Sequence, residues 1–228
     1  MTYTDPGTQY AQKVVNGEII ACKKVIQACQ RHLDDLEKEN FDYVYLPERA
    51  EIAVKFMEIL PDISTGEPVP LAEFQKFIVY SLFGWYHKDN NSLRRFNKAL
   101  ISMARKNGKS ALISGIAIYE FLAGKYPRHN RQIYCTAQSR EQASIVFNMV
   151  VQRLDGLLAK SEAIRNDVRK VRNEITQNST YSVLKPLSKD TGNINGFAPT
   201  LSILDEYGAS KTNEMMEVLE SGAILQPN

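Results

Sequence analysis

Hydrophobic positions follow two different periods along the chain, and the period changes near residue 97. Before that point, apolar residues recur every three or four positions, the spacing of amphipathic helices. One helix is predicted to begin at Asp5-Pro6 and to end at Gly17, since aspartate caps a helix N-terminus and proline suits its first position. Three more helices are predicted over residues 20–39, 47–61 and 71–83.

After residue 97, short continuous apolar runs alternate with helical stretches. Runs of this kind indicate strands that are buried between helices, as in parallel sheets. The alternation predicts an α/β fold over 71–228, a mostly parallel sheet with helices on both faces, preceded by an N-terminal helical arm over 1–70. The predicted strands cover 98–103, 132–137, 181–187 and 201–204, and the predicted helices 110–122, 140–158, 162–172 and 213–219, with a loop over 188–199.

The composition is that of an ordinary globular protein, with 43% hydrophobic and 24% charged residues among 228. No apolar run approaches the roughly 18 residues of a membrane helix, and the first residues lack the pattern of a secretion signal. We therefore expect no membrane partner and a cytoplasmic location. Cys22, Cys29 and Cys135 have no metal-ligand spacing and are predicted to be buried free thiols in a reducing compartment.

The net charge of +2 hides an uneven distribution of charge along the chain. Residues 34–73 contain eleven acidic side chains against three basic ones, whereas residues 90–140 contain ten basic side chains against Glu120 alone. The second stretch favours an anionic partner, either nucleotide phosphates or a nucleic-acid backbone, with a solvated basic face as the alternative. The candidates for contact with a DNA backbone are Arg94, Arg95, Lys98, Lys125, Arg128 and Arg131.

Residues 104–110, Ala-Arg-Lys-Asn-Gly-Lys-Ser, lie between a predicted strand and a predicted helix and end like a phosphate-binding loop. Gly108 permits backbone N–H groups to converge on phosphate, and the start of the next helix adds partial positive charge. In that setting Lys109 reaches the β- and γ-phosphates and Ser110 ligates Mg²⁺. The usual pattern has glycine where this chain has Met103.

The predicted strand over 201–204 is followed by two adjacent carboxylates, Asp205 and Glu206. Ligands of open α/β sheets bind at the carboxyl ends of the strands. There Asp205 could hold Mg²⁺ and Glu206 could orient and deprotonate the water that attacks the γ-phosphate. With the phosphate loop earlier in the chain, this pair favours ATP hydrolysis, although a solvated strand end is the ordinary setting for a lone Asp-Glu pair.

Two further residues fit a nucleotide site. Arg105, inside the loop, could stabilise charge that develops on the γ-phosphoryl group, or contact phosphate or solvent only. The amide of Gln75 could pair with the edge of adenine and so favour ATP.

Together these segments resemble the ATPase domain of the large terminase subunit of tailed double-stranded DNA bacteriophages. The resemblance covers roughly residues 70–220 and implies a P-loop NTPase of the ASCE type, in which Lys106 and Asn107 also belong to the nucleotide loop. An arginine in place of the early glycines is typical of that family, so Met103 agrees with it. The segments that carry the resemblance are residues 74–75, 104–110, 136–143 and 204–208.

The resemblance implies a motor that hydrolyses ATP to drive double-stranded DNA into proheads in the cytoplasm of a bacterial host. Its implied partners are DNA, the portal protein, the small terminase subunit and further copies of the chain in a ring. In the family, a further core strand and a nuclease domain follow the ATPase motifs. The chain ends soon after Glu206. We therefore expect a fragment or truncated product that hydrolyses ATP poorly by itself.

Two alternatives stay open at this point. Superfamily-two helicases share the fold and the acidic pair, but Tyr207-Gly208 follows Glu206 where those proteins usually have Ala-Asp or Ala-His. The other alternative is an assembly module that binds nucleotide or DNA without turnover.

Overall fold

The computed structural model describes residues 3–137, 140–187, 198–209 and 212–223. Their contacts divide the chain into two compact units. The first unit comprises residues 1–58 and 70–102, and the second comprises residues 59–69 and the chain from residue 103 onward. This division does not coincide with the predicted boundary between residues 70 and 71. Most of the predicted loop over 188–199 lies outside the described residues.

Four helices form most of the first unit, as the hydrophobic spacing predicts. They are α1 (Pro6–Val15), α2 (Lys23–Glu37), α3 (Pro47–Glu58) and α4 (Glu73–Gly84). The predicted start of α1 is confirmed, because the Asp5 carboxylate accepts the Thr8 N–H at 3.0 Å and Pro6 occupies the first turn. α1 packs against both α2 and α4.

The sequence prediction missed a two-stranded antiparallel ribbon, β1 (Tyr43–Tyr45) with β2 (Trp85–His87). Three residues are too few for a period of two to be recognised, although aromatic residues favour strands. The ribbon borders a buried polar chain around His32. Trp85 Nε1 donates to His32 Nδ1 at 3.2 Å, so the proton of the neutral ring is on Nε2, 3.0 Å from the hydroxyl of Thr8.

Within the described residues, the sheet of the second unit has five strands, β3 (Gln132–Thr136), β4 (Val168–Val171), β5 (Glu174–Gln177), β6 (Ser182–Leu187) and β7 (Leu201–Leu204). Their order in the sheet is β4-β5-β6-β3-β7. β3 pairs in parallel with β6 and β7, whereas β4, β5 and β6 pair antiparallel. The sheet is therefore mixed, and the prediction of a mostly parallel sheet was wrong. The helices described in this unit are α5 (Lys109–Ala123), α6 (Arg140–Lys160), α7 (Glu162–Asp167) and α8 (Glu214–Ala223).

The antiparallel part arises where a helix over 162–172 was predicted. The helix α7 ends at Asp167 because this carboxylate accepts hydrogen bonds from the Ser179 N–H, the Ser179 hydroxyl and Gln177. These bonds join the two open ends of the hairpin of β4 and β5. Burial raises the pKa of Asp167, but the hydrogen bonds together outweigh burial, so the pKa is lowered. The charges of Arg169 and Lys170 thus lie on an edge strand, where they hinder further pairing.

The predicted strand over 98–103 is absent, and the side chain of Leu100 is 87% exposed. A strand requires a hydrogen-bonded neighbour, and within the described part of the chain no strand pairs with this segment. A short apolar run indicates a local preference for extended backbone, but it does not supply the neighbouring strand with which a strand must pair. The helix that follows the phosphate loop is nevertheless present as α5.

The register of the parallel strands positions the candidate site. Thr136 lies beside Leu187 on one side and beside Leu204 on the other, so these strands end together. Met215 and Leu219 of α8 pack on the same face of the sheet, against Leu187 and Leu204. α5 packs against β3 and β7. No helix within the described ranges is both long and apolar enough to cross a bilayer.

Candidate nucleotide site

The loop before α5 has the backbone of a tight turn. Lys106 and Gly108 have positive φ angles of 66° and 73°, in the left-handed region that favours glycine. The Asn107 amide donates to the carbonyl oxygens of Ala104 at 3.1 Å and Arg105 at 3.4 Å and so bridges the loop. Because the first N–H groups of a helix have no partner inside it, α5 directs several donors towards the loop.

The lysine of the loop meets the first carboxylate after β7. Lys109 Nζ lies 2.7 Å from Asp205 Oδ1, and their side chains are 34% and 15% exposed. The backbone N–H of Asp205 donates to Thr136 O at 3.0 Å, which continues the β3–β7 ladder by one residue. The sheet therefore fixes the position of Asp205. The ion pair of Lys109 with Asp205 brings together the phosphate loop and the end of β7, two segments that the sequence linked only through their shared role in nucleotide chemistry.

Glu206 occupies a strained position beside this pair. Its φ angle is 53°, which is uncommon outside glycine, and its side chain is exposed. Its N–H donates to Asp205 Oδ1 at 3.0 Å, so the same oxygen accepts from both Glu206 and Lys109. A short 3-10 helix, Tyr207–Ala209, follows. The backbone thus turns sharply at the residue to which the sequence assigns water activation.

The other predicted loop residues have the exposure that a ligand site requires. Arg105, Lys106, Asn107 and Gly108 are exposed, and Ser110 is half-buried in the first turn of α5. No group of three or more His, Cys, Asp or Glu suited to a metal occurs among the described residues. Mg²⁺ is usually held by one or two carboxylates together with phosphate oxygens and water, and Asp205 and Ser110 fit that donor set.

Gln75 has a defined role in its own helix. It is buried in the first turn of α4, and its Oε1 accepts the Ala72 N–H at 3.0 Å. It belongs to the first unit, whereas the phosphate loop from residue 104 onward belongs to the second. Its pairing with adenine stays a prediction.

Of the three cysteines, all free, Cys29 and Cys135 are buried and Cys22 is exposed, which corrects the prediction that all would be buried. Burial, with a smaller contribution from the charge of Asp205, raises the pKa of Cys135 to about 12. Burial likewise raises the pKa of Cys29 to about 11. Both thiols are therefore neutral at pH 7, and neither is a nucleophile.

Two of the six predicted DNA-contacting residues are structural instead. Arg131 is 2% exposed and donates to the carbonyl oxygens of Phe121 and Gly124, both at 2.9 Å, which closes the C-terminal end of α5. Arg95 forms an ion pair with buried Asp35 at 2.7 Å. The prediction was wrong because charge counted along a sequence does not distinguish exposed from buried arginines.

The remaining four residues differ in their surroundings. The guanidinium of Arg94 lies over the ring of Phe83, 5.0 Å from its centroid. Lys98, Lys125 and Arg128 are exposed. These three residues remain compatible with contact to a DNA backbone.

Arg153 is a buried polar residue that sequence reasoning missed. It lies on α6 and donates to Pro61 O, Ala111 O and the Ser114 hydroxyl, at 3.0, 2.6 and 3.1 Å. Burial lowers its pKa and the charge of Asp62 opposes that effect. The available signal was an arginine on the otherwise apolar face of a predicted helix, next to Val150 and Leu154.

Comparison with known proteins identifies relatives of this chain. The family model described as terminase large subunit, ATPase domain, matches residues 73–228. The terminase large subunit of Enterobacteria phage HK97 is 36% identical over 166 residues, which are 70% of this chain and 31% of that protein. The crystal structure of the HK97 bacteriophage large terminase matches with a TM-score of 0.63 and 28% identity, over 77% of this chain and 35% of that one. The chain spans about a third of the length of these relatives.

The matched range includes the phosphate loop, β7 and the two carboxylates that follow it. The resemblance found in the sequence motifs is thereby confirmed. The chain belongs to the family of terminase large subunit ATPase domains.

Proposed function

We propose that the chain binds and hydrolyses Mg·ATP and that this hydrolysis drives the packaging of double-stranded DNA into phage proheads. The observation that carries the proposal is the 2.7 Å contact between Lys109 and Asp205, which brings the phosphate loop to the carboxyl end of β7. Membership of a terminase ATPase family supports the same reaction.

Binding of phosphate requires an exchange of partners at this contact. A phosphate oxygen competes with the Asp205 carboxylate for Lys109, and the N–H groups at the start of α5 add further donors. Once released from Lys109, Asp205 is available with the Ser110 hydroxyl to hold Mg²⁺, which when bound neutralises charge on the phosphates.

The proposal assigns the activation of water to Glu206. Its exposed carboxylate follows Asp205 directly, and its left-handed backbone turns it out of the line of the strand. We assign it the orientation and deprotonation of the attacking water. Arg105, exposed in the loop, would stabilise the negative charge that develops on the transferred group.

The macromolecular partners follow from the family. Double-stranded DNA would contact exposed basic residues through its phosphates, independently of sequence. The portal protein, the small terminase subunit and further copies of the chain in a ring would complete the motor in the host cytoplasm.

Calorimetry with a non-hydrolysable ATP analogue and Mg²⁺ tests the first step. The chain should bind the analogue, and Lys109→Ala should abolish binding while the circular dichroism spectrum stays unchanged. Equal affinity of the two proteins would contradict the assignment of the site. Phosphate release with and without duplex DNA then separates a hydrolase from a module that only binds.

A further inference from the structure

Arg153 connects the nucleotide site to a loop that no motif covers. This Pro61 loop, residues 59–69, belongs to the same unit as α5 and α6. It is an ordered turn: Pro61 bridges to Pro68, and the Asp62 N–H donates to Glu67 O at 2.9 Å. Leu60 at its start is fully buried. The loop therefore has a defined position relative to α6.

The guanidinium of Arg153 joins this loop to the first turn of α5. Its Nε donates to Pro61 O, and its Nη1 donates to both Ala111 O and the Ser114 hydroxyl. The Ser114 hydroxyl in turn donates to Ala111 O at 3.0 Å. The guanidinium, this hydroxyl and this carbonyl oxygen therefore contact one another within one turn of α5. Ala111 directly follows Ser110, and a shift of this turn moves the backbone that carries Lys109 and Ser110.

A second contact holds the Pro61 loop against α6, one turn away from Arg153. A Cβ atom at Gly156 would lie 2.4 Å from Pro61 Cγ and 3.3 Å from its Cβ. Only glycine allows this approach, because real Cβ atoms do not come so close to other carbon atoms. The ring of Pro61 therefore rests on Gly156 while its carbonyl oxygen binds Arg153.

A buried guanidinium is costly unless its N–H groups are satisfied, and apolar side chains could fill the same volume. Its planar arrangement of donors suits two carbonyl oxygens in fixed directions, which a lysine cannot match. We propose that Arg153 is a positioning residue for the nucleotide site, because its hydrogen bonds fix the start of α5 relative to the Pro61 loop. Affinity for phosphate then depends on the position of the Pro61 loop against α6. This inference rests on the proposed function.

The test uses the 228-residue chain and a non-hydrolysable ATP analogue with Mg²⁺. Arg153→Met removes every N–H donor at similar side-chain length, whereas Arg153→Lys keeps the charge and the N–H donors of a single nitrogen. We expect Arg153→Met to weaken binding about tenfold, since small misplacements of a site have effects of this order or larger. Arg153→Lys should recover part of the affinity. Equal, wild-type affinity of both folded variants would overturn the proposal.

A nucleotide-free measurement separates positioning from general stability. Arg153→Met should accelerate amide hydrogen exchange at Leu112, whose N–H donates to Gly108 O, more than at Phe121 near the end of α5. Uniform acceleration along the helix would count against positioning.

A second route leaves the arginine intact and decides the question if Arg153→Met does not fold. Gly156→Ala should displace Pro61 and weaken analogue binding, and adding Pro61→Ala should restore it by removing the colliding ring. Unchanged binding by Gly156→Ala, or no recovery in the double variant, would overturn the proposal.

The failure of this inference can be told from the failure of the proposed function. If Lys109→Ala abolishes binding but no variant of Arg153 or Gly156 alters it, the nucleotide site stands and only the role of Arg153 fails. Absence of binding by the wild-type chain would instead refute the proposed function and this inference with it.

Discussion

Lys109 Nζ and Asp205 Oδ1 lie 2.7 Å apart, so the first residue of α5 contacts the first residue after β7. The same carboxylate oxygen accepts the Glu206 N–H at 3.0 Å. The charge of Lys109 is thus compensated inside the protein. A phosphate group would therefore compete with Asp205 for this lysine, and Asp205 is the carboxylate assigned to Mg²⁺.

Asp205→Asn should therefore affect binding in opposite directions with and without Mg²⁺. In the presence of a chelator, the variant should bind the ATP analogue at least as tightly as the wild type, because Lys109 no longer has an anionic competitor. With Mg²⁺, the wild type should gain affinity and the variant should not. Calorimetry under both conditions measures the two effects. An equal gain from Mg²⁺ in both proteins would place the metal ligand elsewhere.

Glu206→Gln should separate binding from hydrolysis. Glutamine has nearly the same shape and cannot accept a proton from water, so affinity for Mg·ATP should stay while hydrolysis falls roughly 10²-fold. Single-turnover assays with labelled ATP and excess protein, with duplex DNA present, detect rates close to background. Glu217→Gln, on exposed surface of α8, is a control that should retain the wild-type rate. Equal rates for Glu206→Gln and the control would assign the base to another residue.

Local signals in the sequence were sufficient for several elements. The cap formed by Asp5 and Pro6 predicted α1, and the apolar run over 201–204 predicted β7. The sequence placed Asp205 at the carboxyl end of β7, where ligands of α/β sheets bind, but its contact with Lys109 was not predicted. These predictions succeeded because each depends on neighbours in the chain or on a general property of sheets.

The errors concern interactions between distant parts of the chain. The residues over 98–103 have a strand-like composition but no strand partner among the described residues. The helix predicted over 162–172 ends at Asp167 because of hydrogen bonds from Gln177 and Ser179, ten or more residues away. Arg131 and Arg153 were not recognised as buried, since their partners are mainly backbone carbonyl groups, which every residue carries.

Lys98, Lys125 and Arg128, the exposed candidates for DNA contact, allow a prediction of how DNA binding depends on salt. Each phosphate contact contributes about one unit to the slope of log affinity against log salt concentration. Lys125 and Arg128 are exposed after the end of α5, and their combined change to alanine should reduce that slope by roughly two. Fluorescence anisotropy with duplex DNA at several salt concentrations measures it.

Arg131 provides a matched contrast in the same stretch. Its guanidinium is buried against backbone carbonyl groups, so Arg131→Gln should lower the free energy of unfolding by about 3 kcal/mol and leave the slope unchanged. A reduced slope for folded Arg131→Gln would contradict this assignment. An unchanged slope for the Lys125 and Arg128 variant would show that those residues form a solvated face.

The stability of the first unit should fall in mild acid because of His32. Burial, partly offset by the charges of Asp5 and Asp35, lowers its pKa from 6.5 to about 4. Above pH 6.5 the ring is neutral in both folded and unfolded states, and its contribution is fully present. Between pH 6.5 and 4 only the unfolded state gains a proton, so stability decreases as the pH falls. From pH 7 to pH 5 the free energy of unfolding should decrease by about 2 kcal/mol from this group.

Trp85 makes this loss measurable in the first unit alone. It is the only tryptophan of the chain, and its indole N–H donates to His32 Nδ1, the atom that must gain the proton. Denaturant unfolding followed by tryptophan fluorescence at pH 7 and pH 5 therefore reports the unit that contains His32. His32→Gln should be less stable at pH 7, since it loses part of the buried hydrogen-bonded chain, but should lack this decrease. His129→Gln, on the surface, should keep it. If the decrease persists in His32→Gln at full size, other groups are responsible for the acid sensitivity, and the ring of His32 does not resist protonation in the folded chain.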